Sequence, residues 1–347
     1  MKKILLDPVI ENDVKQYLEA GGEGFPPTVV FGAGGMLGSY IVTFITSVNR
    51  AIRSPNGTTA IVRGENKYLQ QLSDNKYLEI SRSNKAREAI LNHNQPLVIH
   101  AASPASVDSH LSDPRDIINS NIVLTLDICK AMSFSGGHLA FLSSGEVYGP
   151  SAILPTKESD YSAFDHLALR GSYPELKKAG EVIVKTWAQV EDFTAVSLRV
   201  YHTFGPGMRE SDRRIFSALK SVIKEEDIIL NSSGEATRSF LYVEDLVTAI
   251  RKTKTESKFE EYNVASGAEL TILEFARKVA SVSKNTKVVL PNTSQIGNST
   301  RSPILRGLAD TTKLQSTGWK QSVDLDQAIR RTIQSMKWRT ENNFDNF

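Results

Sequence analysis

The chain has 347 residues, 40% of them hydrophobic and 23% charged, with a formal net charge of +2. That length supplies one large or two modest cores, and the near balance of charge gives no footprint for a nucleic acid or an anionic membrane as partner. The single cysteine, Cys129, excludes an intrachain disulfide and makes a reducing, cytoplasmic setting the economical expectation.

The opening Met-Lys-Lys-Ile-Leu-Leu starts like a secretory leader, but Asp7, Glu11 and Asp13 break the apolar run at once. Neither a leader nor a membrane span is therefore expected. Val9, Val14, Tyr17 and Leu18 recur at near-helical spacing, which predicts a helical packing arm within residues 1–27, before Pro26 and Pro27. Strand-like runs follow at 28–31, 59–62, 97–101, 139–143 and 194–200, separated by helical stretches. This alternation predicts an α/β fold, a doubly wound parallel sheet covered on both faces. Residues 28–200 form that domain, with 236–266 returning to it. Beyond Pro206 the chain becomes more polar and rich in turns, so 201–235 and 267–340 read as a smaller C-terminal substrate-binding region. No internal repeat or low-complexity tract is present.

Two segments point to chemistry. Between the first strand and an apolar helix over 36–44, Gly32, Gly35 and Gly38 fall at every third position. Gly32 allows a tight turn, Gly35 lets the backbone approach a pyrophosphate, and Gly38 lets helix pack on strand; the phosphates then meet the positive helix end. This predicts a dinucleotide site. Downstream, Tyr173 and Lys177 stand one helical turn apart, so a phenol and an ammonium face the same bound cofactor, an arrangement suited to redox chemistry on an alcohol. At the end of the second strand, where NAD enzymes usually place an acid, the chain has Arg63, with Glu65 two residues on. An arginine suits a 2′-phosphate, so NAD(P) is expected with a slight lean to NADP over NAD.

In order along the chain, GAGGMLGS, IHAASPAS, FLSSGEVYGP, YPELKKAGE, RVYHTFGPGM, TRSFLYVEDLV and YNVASG resemble the extended short-chain dehydrogenase/reductases that modify nucleotide sugars. The resemblance covers roughly residues 28–335 and implies a Rossmann-type domain. Within the group the chain looks most like UDP-glucuronate decarboxylases and 4,6-dehydratases, with 4-epimerases more distant.

The resemblance implies roles for residues at matching positions. Tyr173 is the base that takes the proton of the sugar hydroxyl, with Lys177 and the positive nicotinamide lowering its pKa. A drop of about three units from the usual value corresponds to roughly 4 kcal/mol. Ser144 hydrogen-bonds the reacting hydroxyl. Glu146 takes the C5 proton that a 4-keto group acidifies. Around the cofactor lie Gly32, Gly35, Met36, Leu37, Gly38, Arg63, Ala101, Ala102, Ser103, Asn121, Tyr173 and Lys177. Toward the substrate lie Arg170, His202, Arg238 and Arg301, with Arg238 at the pyrophosphate. No metal is expected.

The chain departs from the pattern at Gly145, where dehydratases usually carry Asp and decarboxylases Ser, and at His202, where relatives generally carry Asn. The implied reaction is oxidation at C4 of a nucleotide-linked hexose, followed by dehydration, decarboxylation or epimerisation. An NADPH-dependent 4-keto-sugar reductase is the alternative enzyme, and a catalytically silent NAD(P)-binding interaction protein the alternative of another class. The resemblance also implies a homodimer, with the helices over 112–132 and 173–190 at its interface.

Overall fold

The structure, a computed structural model, describes residues 5–73, 76–82, 85–104, 114–150, 153–161, 165–167, 171–209, 213–291 and 304–344. Helix α1 (Pro8–Glu19) precedes β1 (Thr28–Phe31), α2 (Met36–Ala51), β2 (Thr58–Val62), α3 (Lys67–Leu72), β3 (Leu78–Arg82), α4 (Ala86–Leu91) and β4 (Leu97–His100). A further helical run begins as α5 (Pro114–Ile118), widens through a π turn (Asn119–Val123) and continues as α6 (Leu124–Ser135). There follow β5 (His138–Ser144), α7 (Ser172–Val190), β6 (Thr194–Val200), β7 (His202–Phe204), α8 (Arg213–Lys224), β8 (Ile228–Ile229), β9 (Thr237–Arg238), β10 (Phe240–Tyr242), α9 (Val243–Lys252) and β11 (Phe259–Val264). The remainder comprises β12 (Leu270–Thr271), α10 (Ile272–Ala280), β13 (Val288–Val289), α11 (Thr312–Ser316) and α12 (Leu325–Glu341).

Seven strands form one parallel sheet in the order β11-β6-β5-β4-β1-β2-β3. Its central strands are buried along their whole length, as strands covered on both faces must be. Alternation decides which core each residue enters. Val29 and Phe31 face the cluster with Ile128, Met132, Leu139, Phe141 and Val184, while Val30 faces the larger cluster with Tyr40, Ile41 and Phe44. The strand order reverses direction between β1 and β4, which leaves a crevice at their carboxyl ends, the usual ligand position in such a sheet.

The two strands that apolar runs did not reveal are both edges of the sheet. In β3, Leu-Glu-Ile-Ser-Arg buries only its first residue, and β11 begins Phe-Glu-Glu, polar enough to read as loop. The run Arg115–Ser135 reaches, by length and composition alone, the hydropathy of a membrane span, although 44% of its apolar window is buried within the fold.

Two buried carboxylates fasten the N-terminal arm. Asp7 caps α1 by accepting from the Val9 amide at 3.0 Å, and its other oxygen accepts from Ser335 Oγ at 2.6 Å and Arg339 Nε at 3.0 Å on α12. Asp13 accepts from the hydroxyls of Tyr40 at 2.7 Å and Tyr242 at 2.8 Å and from Arg331 at 2.8 Å. Burial holds the Asp13 carboxyl above its usual range despite these donors.

Because Asp7 is fully buried, Arg339→Met leaves its charge without a counter-ion and is expected to cost about 3–5 kcal/mol of unfolding free energy. Adding Asp7→Asn should return part of that loss. Urea denaturation of both variants checks this, and a loss below about 1 kcal/mol for Arg339→Met would contradict the clasp.

Candidate active site

The glycine turn lies where β1 and β4 diverge. Gly32 has φ +77°, and a Cβ there would sit 2.6 Å from the backbone of Ala101 and Ala102. Only glycine lets these two strand ends meet. At Gly38 a Cβ would collide with the Gly32 carbonyl, so α2 packs directly on the turn. Gly35 is exposed and caps α2 with no side-chain bond, which leaves first-turn amides toward the crevice, beside half-buried Met36 and Leu37. Such a cradle, with small Ala101, Ala102 and Ser103 opposite, fits a dinucleotide.

Behind the cradle, polar groups bind its parts together. Asn121, in the π turn, donates to Ser103 Oγ at 3.1 Å and to the Ile117 carbonyl at 2.9 Å. Thr125 Oγ1 donates to the Asn121 carbonyl at 2.7 Å and so accepts from His100 Nε2, 3.1 Å away, which leaves Nδ1 to accept from the Ala102 amide at 3.3 Å. Burial and the nearby Lys177 charge push His100 down to about 3, in keeping with this neutral tautomer.

Ser144 ends β5, and Tyr173 and Lys177 lie on the first turns of α7, all three buried. Lys177 Nζ donates to the Leu142 carbonyl at 2.7 Å and stands 4.8 Å from the centre of the Phe141 ring. Burial pulls its ammonium down to about 7, opposed by Glu181 one turn on. Tyr173 is hydrogen-bonded to Ser144 and close enough to Glu146 to feel its charge. Without the nicotinamide charge its pKa is raised, because burial and the Glu146 carboxylate outweigh the Ser144 hydrogen bond. In the protein alone Tyr173 is thus a neutral phenol. Half-buried Glu146 follows Gly145 in a short 3-10 turn, its amide donating to Ser144 Oγ at 3.2 Å.

Sequence reasoning missed the support for these groups. Arg199 on β6 grips Glu181 with two bonds of 3.1 and 2.8 Å and donates to Tyr148 Oη at 2.8 Å, while Tyr148 donates to Asn263 Oδ1 on β11 at 2.6 Å. The spacing of Glu181 four residues after Lys177 was a readable signal; the partners from β6 and β11 were not.

The remaining predicted positions are spread over the C-terminal ends of the strands and the region beyond. Arg63 follows β2, largely exposed, with Nη1 at 2.6 Å from both oxygens of Asp116. His202 opens β7 against the Phe240 ring. Arg238 on β9 is buried and donates to the Thr237 carbonyl at 2.6 Å. Arg170 and Arg301 lie outside the described residues. Among the described residues no group of three or more His, Cys, Asp or Glu side chains is placed to hold a metal.

Comparison with known proteins agrees with this architecture. Residues 28–265 match the model of the NAD dependent epimerase/dehydratase family. Over 267 residues the chain is 27% identical to UDP-glucuronic acid decarboxylase 1 of Xenopus tropicalis, covering 74% of this chain and 62% of that protein, under two thirds of its length. It is 25% identical over 320 residues to UDP-glucuronic acid decarboxylase 2 of Arabidopsis thaliana, covering 90% and 68%. In fold it resembles the UDP-glucuronic acid 4-epimerase from Bacillus cereus, solved with UDP-glucuronic acid and NAD, at TM-score 0.76 and 18% identity over 90% of this chain and 99% of that one.

Since Gly32 combines positive φ with backbone contact, Gly32→Ala is expected to cost about 1–3 kcal/mol of stability and to weaken dinucleotide binding about tenfold or more. Titration calorimetry and thermal melts read both. Unchanged affinity would show that the turn does not cradle the ligand.

Proposed function

Because the chain belongs to the NAD dependent epimerase/dehydratase family, we propose that it is an enzyme that oxidises the hexose of a UDP-sugar at C4 and then alters the activated ketone by dehydration, decarboxylation or epimerisation. The observation that carries this reading is the Ser144–Tyr173 hydrogen bond, with buried Lys177 on the same helix and Glu146 beside the phenol. Ser144 and Tyr173 hold the C4 hydroxyl, and Tyr173, once it has given up its own proton to become the phenolate, receives the hydroxyl proton. When bound, the nicotinamide supplies the acceptor for the hydride from C4. Lys177, poised near 7, contributes positive charge beneath the site once protonated and so offsets part of the burial that keeps Tyr173 a phenol. Glu146 takes the C5 proton from the ketone. That carboxylate favours onward chemistry over the plain reductase reading, and the Ser144, Tyr173, Lys177 set favours catalysis over a silent binding protein.

The substrate class and cofactor follow from the same reading. Its decarboxylase relatives make UDP-glucuronate the first substrate to supply. Asp116 already meets the Arg63 charge that raised the expectation of NADP, and a 2′-phosphate would have to displace it. We therefore read the cofactor as NAD. A cytoplasmic setting is part of the proposal, supported by Cys129 being a buried free thiol.

Product masses test the reaction. With NAD and UDP-glucuronate or UDP-glucose, loss of water, loss of carbon dioxide or no change identifies the outcome. Tyr173→Phe is expected to lower turnover by about 10²–10⁴-fold, and retention above roughly a tenth of wild type would contradict its role. Glu146→Gln should still reduce the cofactor yet stall at the 4-keto sugar, with no solvent deuterium entering C5. Final product at the wild-type rate would leave Glu146 a structural residue and favour epimerisation.

The protein is also read as a homodimer through the α5–α6 run and α7, which expose Ile118, Val123, Phe134, Val182 and Val190. Sedimentation at micromolar concentration should give twice the 38.3 kDa chain mass. A single-chain mass would refute the dimer.

A further inference from the structure

We propose that Asn263 is a positioning residue for the reaction: acting through Tyr148, it holds the turn that carries Glu146 where that carboxylate can work. This rests on the nucleotide-sugar reading above and deepens it.

Glu146 stands on the turn Gly145–Tyr148, so its carboxylate is only as well placed as that turn. Packing seats the start of the turn, since a Cβ on Gly145 would lie 2.7 Å from Cε2 of the Tyr201 ring, closer than real side-chain contacts allow. Polar contacts seat its end. Tyr148 Oη donates to Asn263 Oδ1 at 2.6 Å and accepts from Arg199 Nη1 at 2.8 Å. Arg199 and Asn263 stand opposite each other in the register of β6 and β11, so neighbouring strands close on one phenol.

Asn263 is fully buried, and both polar atoms of its side chain are bonded. Its Nδ2 donates to the Thr156 carbonyl at 2.9 Å and to the Asp310 carbonyl at 3.0 Å. Those two segments are also joined to each other, the Thr156 amide donating to the Leu308 carbonyl at 2.9 Å and the Asp310 amide to the Thr156 carbonyl at 2.8 Å. On the open edge of the sheet the Asn263 backbone amide donates to Glu158 Oε1 at 2.8 Å, and Arg199 Nη1 donates to the Glu158 carbonyl at 2.8 Å. Residues 153–161 lie in the chain between Glu146 and Tyr173, and the Leu305 carbonyl accepts from the amide of Thr237, the neighbour of Arg238, at 2.9 Å. One buried amide thus fastens the Glu146 turn to the stretch leading to Tyr173 and to the stretch beside Arg238. Moving the turn would break bonds that water cannot replace there.

Tyr148→Phe keeps the ring and removes the hydroxyl through which Asn263 reaches the turn, while Arg199 keeps its two bonds to Glu181. Stopped-flow absorbance of the full-length, NAD-loaded protein, in a single turnover of whichever of UDP-glucuronate and UDP-glucose the wild type converts, separates the two halves of the reaction. Reduction of the nicotinamide is expected to stay within about twofold of wild type, and the later loss of the reduced form, the half that Glu146→Gln blocks, to slow about 3- to 10-fold. Dissociation constants for UDP and for NAD should stay within about twofold, which a general loss of structure would not allow. As a second variant, Asn263→Asp keeps the oxygen facing Tyr148 but sets an acceptor against two carbonyls, and should slow the same half about tenfold or more. Tyr148→Phe decides alone where Asn263→Asp does not fold. Reduction slowed as much as the later half, or no slowing of either, sinks the Asn263 assignment alone. Final product at the wild-type rate from Glu146→Gln removes the role of Glu146 and this assignment with it, and a wild type that converts neither sugar overturns the enzymatic reading as a whole.

Discussion

The burial of one ammonium group organises this site. Lys177 is only 3% exposed, and an isolated charge there would be prohibitively costly. Three features answer that cost: the Leu142 carbonyl, the face of Phe141, and the charge of Glu181 one turn along the helix. Glu181 is itself buried, and its charge is held in the fork of Arg199, which continues through Tyr148 to Asn263 on the edge strand β11. The network thus joins α7 to β5, β6 and β11 with polar contacts, which fix position more sharply than apolar packing does.

The cofactor side has the same construction with neutral groups. His100 is locked into one tautomer between Ala102 and Thr125, and Asn121 links the π turn to Ser103. Close approach at Gly32 then brings the β1 turn against this segment. Cradle and helix α7 meet through Gly180, where a Cβ would lie 2.6 Å from the Phe141 ring and 3.2 Å from the Asn121 carbonyl. The sequence motif Tyr-x-x-x-Lys is therefore one visible part of a continuous buried assembly.

Much of this was legible in the chain. Continuous apolar runs announced the inner strands because parallel strands are buried on both faces, and the glycine spacing marked the turn because only glycine fits there. Edge strands β3 and β11 escaped notice since their exposed or half-buried positions carry Glu, Ser and Arg. Residues whose role comes from a distant partner were equally hidden: Arg199 was one more arginine until Glu181 met it, and Gly145 was an unexplained departure until Tyr201 lay over it. Arg63 likewise has a partner hidden in the run of the chain, Asp116, 53 positions later.

In the proposed reaction Tyr173, Ser144 and Lys177 serve a transient oxidation, so the hydride returns to the product. The most direct measurement is the nicotinamide absorbance of NAD-loaded protein through a single turnover of UDP-glucuronate or UDP-glucose. The reduced form is expected to rise and then decay as product appears, with none left at the end. Product accumulating with no reduced form seen, or a reduced form that builds up in step with product and stays, would rule out a transient oxidation.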